Sequence, residues 1–121
     1  MYSIGLTLNP ATILPGASLS GPVGLGALTL VGISMPPVWA AAALTFQVSP
    51  DGGTTWQELY DSAGNEITVT AAANQYLMLL AEPSYDWRGV NMVQVRSGTL
   101  AAPVVQAAGA VINIVTRSEM L

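Results

Sequence analysis

The side chains able to do chemistry in this chain are few. It has three arginines (Arg88, Arg96 and Arg117), seven carboxylates, and neither histidine, cysteine nor lysine. The usual general bases and most activated nucleophiles are therefore missing. A glycosidase-type acid pair is conceivable among Asp51, Glu58, Asp61, Glu66, Glu82 and Asp86, but no spacing among them marks two as partners. Asp51, Asp61 and Glu66 fall in turn-like sequence, but calcium needs roughly six to eight oxygens and the spaced acidic ladder of a calcium loop is absent. The inventory predicts no catalytic residue, no metal site and no cofactor: the chain is expected not to be an enzyme.

The sharpest local pattern is Ser49-Pro50-Asp51-Gly52-Gly53-Thr54-Thr55-Trp56. It matches Ser-X-Asp-X-Gly-X-Thr-Trp, the Asp-box, at Ser49, Asp51, Gly53, Thr55 and Trp56. An aspartate there accepts hydrogen bonds from the N–H groups of its own turn, glycine supplies positive φ, and the tryptophan packs back over the hairpin. Such boxes recur in sialidase-like propellers away from the active site. A propeller needs several blades of about four strands each, and this chain supplies strands for barely two, so the motif predicts a structural hairpin. The aromatic residues Trp39, Trp56, Tyr60, Tyr76, Tyr85 and Trp87 offer stacking surfaces for sugars, but core packing accounts for most of them. Around Ser84, aromatic and polar groups mix as they do at interface hot spots. This makes Tyr85, Trp87 and Arg88 candidate partner contacts, with simple loop packing as the other reading.

What must position these residues follows from composition. Of 121 residues 51% are apolar and only 8% charged, against roughly 25% charged in an ordinary soluble domain. The charges are also segregated: none occurs in residues 1–50 and none in 97–116. Two stretches so poor in charge are expected to meet other protein, as a homo-oligomer and in a larger assembly. With a net charge of −4, the chain lacks the basic footprint that nucleic acid requires and is repelled by anionic lipid. The uncharged run 23–48 is long enough for a bilayer but is broken by glycine and proline and alternates like strands, so no membrane span is expected. The first residues carry no basic group, and no export signal is expected.

The length suits one domain. Short β-rich runs bounded by Gly, Pro, Asn and Ser recur at 4–8, 17–23, 27–34, 43–49, 54–60, 66–70, 75–80, 90–97 and 110–117. This spacing predicts an all-β, single-domain antiparallel β-sandwich, organised as an N-terminal arm or edge strand (1–16), a sandwich (17–117) and a tail (118–121). Period-2 alternation sets Leu28, Leu30 and Gly32 against Thr29 and Val31, and Leu44, Phe46 and Val48 against Thr45 and Gln47. It likewise predicts wet faces carrying Arg96 and Asn113 opposite Val93, Val95, Ile112 and Ile114. The alanines of 38–44 are the one place for a helical turn, with Trp39 covering an end of the core.

Three segments together resemble small virion proteins of tailed bacteriophages: Leu28-Thr29-Leu30-Val31-Gly32-Ile33-Ser34-Met35-Pro36, the run from Leu44 through the Asp-box to Asp61, and Val95-Arg96-Ser97-Gly98-Thr99. The likeness spans roughly residues 17 to 117. It implies a sandwich of jelly-roll type and a capsid decoration, or cement, protein on the outer capsid surface of the virion. There it would tie major capsid protein subunits together, as a trimer at local three-fold positions, through the uncharged N-terminal half and the 98–108 segment. A tail, baseplate or fibre subunit is the alternative within virions, and a carbohydrate-binding module for surface attachment is the alternative of another class.

Overall fold

The computed structural model describes residues 5–79 and 87–118. Eight strands form two four-stranded antiparallel sheets: β1 (Leu6–Ile13), β2 (Val23–Gly24), β3 (Leu28–Ser34), β4 (Leu44–Ser49), β5 (Gln57–Glu58), β6 (Tyr76–Met78), β7 (Met92–Ser97) and β8 (Ala110–Ser118). One sheet runs β1-β8-β3-β6 and the other β2-β7-β4-β5. The chain is a single-domain β-sandwich. Its pairings nest: β1 with β8, β2 with β7, β3 with β6 and β4 with β5. Among the described residues no helix is long and apolar enough to cross a membrane.

The core lies between the sheets. Alternation places Val93 and Val95 of β7, Leu44 and Phe46 of β4, and Ile112 and Ile114 of β8 on inner faces, where each is fully buried. The Phe46 ring meets Trp87 edge to face, with centroids 5.5 Å apart and planes at 78°, a favoured geometry for aromatic pairs. Trp87 opens a single 3-10 turn, Trp87–Gly89, and is 4% exposed. The partner contact expected of Trp87 thus gives way to a core role, because the indole closes the space over Phe46.

Several expectations shift for identifiable reasons. The first strand is longer than the 4–8 run because Pro10 is tolerated at the edge of a sheet, and the segment lies along β8 of its own chain from Leu6 to Ile13. In β3 a bulge between Leu30 and Gly32 changes the phase. Ile33 therefore enters the core, and Gly32 falls on the outer face beneath Tyr76, whose phenol oxygen occupies the place a Cβ would take. The 17–23 and 66–70 runs supply isolated bridges and the two-residue β2 in place of full strands. No helical turn forms in 38–44: after Pro36-Pro37, Trp39 packs onto the core and its indole N–H donates to the Ala42 carbonyl at 3.2 Å. Tertiary contact overrides alanine's propensity there. Of the expected tail, Ser118 ends β8 and residues 119–121 lie outside the described residues.

Arg96 departs most from the simple pattern. It points to the outer face of β7 as alternation requires, yet it is 6% exposed, because the side chains of Glu58, Glu66 and Thr45 close around its guanidinium. The wet face expected there is polar but sealed.

Removal of the Phe46 ring by Phe46→Ala leaves a cavity against Trp87, with an expected loss of about 3 to 5 kcal/mol of stability. A shifted urea midpoint at unchanged slope checks this, and a loss under 1 kcal/mol would contradict the packing described.

Candidate interaction surface

Antiparallel pairing sets Ile13 beside Ala110, Ser34 beside Asn113 and Tyr76, and Leu44 beside Ser97. The connections 14–22, 35–43, 71–75 and 98–109 therefore emerge at one end of the sandwich. None of them contains a charged residue. They are rich in alanine and proline and expose Leu14 (66%), Val38 (65%), Leu100 (47%) and Val105 (56%). Apolar side chains grouped at one end of a domain make that end the candidate interaction surface.

These loops are pinned to one another. Gln106, 2% exposed, lies at the centre: its amide NH2 donates to the Ala40 carbonyl at 2.9 Å and the Ser97 hydroxyl at 2.8 Å, while its Oε1 accepts from the Ala40 N–H at 2.9 Å. Its own N–H donates to the Ala17 carbonyl at 2.9 Å, and its carbonyl accepts from the Gly16 N–H at 3.0 Å. Three loops are thus fastened through one residue, and their apolar tips are held in place by the fold itself.

Beside this end lies the sealed arginine. Arg96 donates from both terminal nitrogens to Glu58, at 2.6 and 2.9 Å, and to the Thr45 hydroxyl at 3.3 Å. Glu66 stands 3.7 Å from the same guanidinium, and its carboxylate accepts from the Leu100 N–H at 3.1 Å. Gln47 donates to Glu58 at 2.6 Å. The guanidinium hydrogen bonds hold the Glu58 carboxyl below its usual range against the opposing effect of burial, and the same pair raises Arg96.

The Asp-box sits at the opposite end, between β4 and β5. Ser49 Oγ accepts from the Gly53 N–H at 2.7 Å and donates to Asp51 Oδ1 at 2.8 Å, and the Thr55 N–H donates to the same oxygen at 2.8 Å. Hydrogen bonds from the Thr55 hydroxyl and amide, with Ser49, lower the Asp51 pKa. Gly53 has φ of 98°, and its open side faces Met92 and the Trp56 ring. The arrangement closes a turn between paired strands. Asp61 caps its own turn, accepting from the Ala63 and Asn65 N–H groups at 2.9 Å each, while Glu66 turns to Arg96. The three acids considered for calcium each serve separate local contacts.

Of the expected partner contacts, Tyr85 lies outside the described residues, Trp87 is in the core, and Arg88 is exposed at the Asp-box end, lining a depression with Gly26, Thr29 and Asn91. The structure brings neither Trp87 nor Arg88 to the uncharged end. Gln106 and the Arg96–Glu58 pair carry no motif. The available signals were a lone glutamine in a run of alanine and valine, and one of only three cations ending an apolar strand. No protein family, curated protein or solved structure matches this chain.

Two outcomes follow. Gln106→Ala strands the Ala40 backbone groups, at an expected cost of about 1 to 3 kcal/mol, and raises amide exchange in 14–20, 35–43 and 98–109. Unchanged exchange there would contradict the pinning role. Because the Glu58 pKa is lowered on folding, its contribution is present above the ordinary value of 4.5 and lost as pH falls through the lower folded value. Glu58→Gln is expected to cost about 3 kcal/mol at neutral pH and to flatten the acid limb of stability, as followed by denaturant titration between pH 7 and pH 3.

Proposed function

We propose that this chain is a non-enzymatic virion structural protein, a capsid decoration or cement protein that sits on the outer shell and joins neighbouring major capsid subunits. The observation that carries this reading is the uncharged, pinned loop end. A subunit that adds to a finished shell needs a surface with little charge to desolvate and little conformational freedom to lose. By binding the assembled shell and not its separated subunits, it raises the shell's resistance to disruption through mass action alone. The nested strand pairing fits a jelly roll, an architecture that recurs in capsid proteins, and we take it as part of the reading while resting function on the surface.

A sugar-binding role is favoured less, since the tryptophans offer no open platform and the exposed Tyr60 and Tyr76 belong to different sheets. Trp87 is buried against Phe46, Trp39 is committed to the core and to Ala42, and Trp56 lies against Gly53 beside Met92. A tail or baseplate position would use the same loop end on a different neighbour.

The test is addition of the purified protein to assembled heads that lack it, read by co-sedimentation and electron cryomicroscopy. Saturable density at symmetry-related positions on the head, with the loop end facing the shell, is expected. Val105→Asp is expected to weaken binding at least tenfold while leaving the melting curve unchanged. Density confined to the tail, or no binding to heads, would overturn the reading.

A further inference from the structure

Within the loop end, the 97–104 segment is a tight hairpin bonded along both arms. The arms close at Thr99 and Ala102, which exchange N–H to carbonyl bonds of 3.2 Å each, and the Thr99 hydroxyl also accepts from the Ala102 N–H at 3.0 Å. Below this pair the Val104 N–H donates to the Ser97 carbonyl at 2.8 Å and the Gly98 N–H to the Ala43 carbonyl at 2.7 Å. Gly98 takes a φ of 91°, and a Cβ there would run into the Ala102 carbonyl and the Val104 nitrogen, so the arms approach as closely as glycine allows. Leu100 and Ala101 lie beyond the closing pair. The Leu100 N–H, which the turn itself does not use, donates to the Glu66 carboxylate at 3.1 Å. Glu66 is held in turn: it bridges to Tyr60, its neighbour Ile67 is buried and bonded to Leu59, and its carboxylate stands 3.7 Å from Arg96. The tip of the hairpin is thereby keyed to the sealed arginine.

We infer that Leu100 is the side chain that anchors the loop end in an apolar socket of its partner, and that Glu66 is the positioning residue that sets it. The inference rests on the reading of the loop end as the surface that meets the capsid shell, and it names the element that enters. A side chain that binds gives up the freedom it had before, so an anchor already held by its own fold loses least. Leu100 is 47% exposed on a backbone fixed from both sides, whereas Leu14 and Val38, at 66% and 65%, are covered less. The socket's chemistry follows from the charges around the hairpin. None lies in 97–116, and among the described residues the charged groups bonded to it or to its support are Glu66, Arg96 and Glu58. One cation against two carboxylates leaves the excess negative, so an acidic rim on the socket is disfavoured.

Every contact in this arrangement joins described residues. Those that border the undescribed ones lie away from the hairpin: Leu6 is level with Arg117 and Leu28 with Ser118, β6 runs from Tyr76 at Ser34 away from the loop end to Leu79 at Val31, and Trp87 leads into Arg88 beside Gly26.

Two measurements test it. On the free full chain, Glu66→Ala is expected to raise amide exchange at Leu100 about tenfold while 14–20 and 35–43 keep their rates. Glu66→Gln, whose amide oxygen still accepts from the Leu100 N–H, is expected to stay near the wild type. Equal exchange at Leu100 in the wild type and Glu66→Ala overturns the positioning role, whatever the heads do. On assembled heads that lack the protein, Leu100→Ala is expected to weaken binding about tenfold with its melting curve unchanged, and Glu66→Ala to weaken it by less. The double variant is expected to bind no more weakly than Leu100→Ala alone, because one residue acts through the other. If the wild type binds and Leu100→Ala binds equally well, or the double variant shows the sum of both losses, the inference is overturned with the shell reading intact. If the wild type itself does not bind heads, the shell reading falls and takes the anchor's partner with it.

Discussion

At the end of β7 three consecutive residues carry polar groups that water scarcely reaches, and the rest of the fold is arranged around satisfying them. Arg96 reaches outward to Glu58, Glu66 and Thr45; Ser97 meets Gln106; and the Gly98 carbonyl accepts from the Thr45 hydroxyl at 2.7 Å while its N–H donates to Ala43. A buried cation is costly unless a carboxylate meets it in good geometry with its remaining protons bound. The two-pronged contact with Glu58 supplies that here. It also helps to hold β5, only two residues long, and the 61–69 segment, which bridges to Leu44 through Val69, along β4.

From that point the network continues into the loops. Gln106 extends from Ser97 to Ala40 and Ala17, so the charged sheet face and the uncharged loop end meet at the tip of one strand. Among the described residues the carboxylates Asp51, Glu58, Asp61 and Glu66 all belong to the β2-β7-β4-β5 sheet and its turns, and the loop end keeps only groups that are cheap to desolvate.

Much of the sandwich was legible from alternation alone. Val93, Val95, Ile112 and Ile114 announce their faces, and the Asp-box announces its turn, because both signals are local. The missed features depend on residues far apart in sequence. Nothing near Arg96 foretells that Glu58 and Glu66 will cover it, nothing near Gly32 foretells a bulge that exchanges it with Ile33, and nothing near Trp87 reveals the Phe46 ring beneath. The uncharged stretches were plain in the sequence, whereas their convergence at one end follows only from the strand order, and their fastening by Gln106 only from side-chain geometry.

The central claim is that this loop end is a preformed protein-binding surface. Amide exchange compared between the free protein and the protein mixed with the assembled shell proposed as its partner tests it most directly. The account predicts new protection in 14–20, 35–43 and 98–109 and none in the 49–56 turn. Protection confined to 49–56, or to the outer face of the Arg96 sheet, would contradict it.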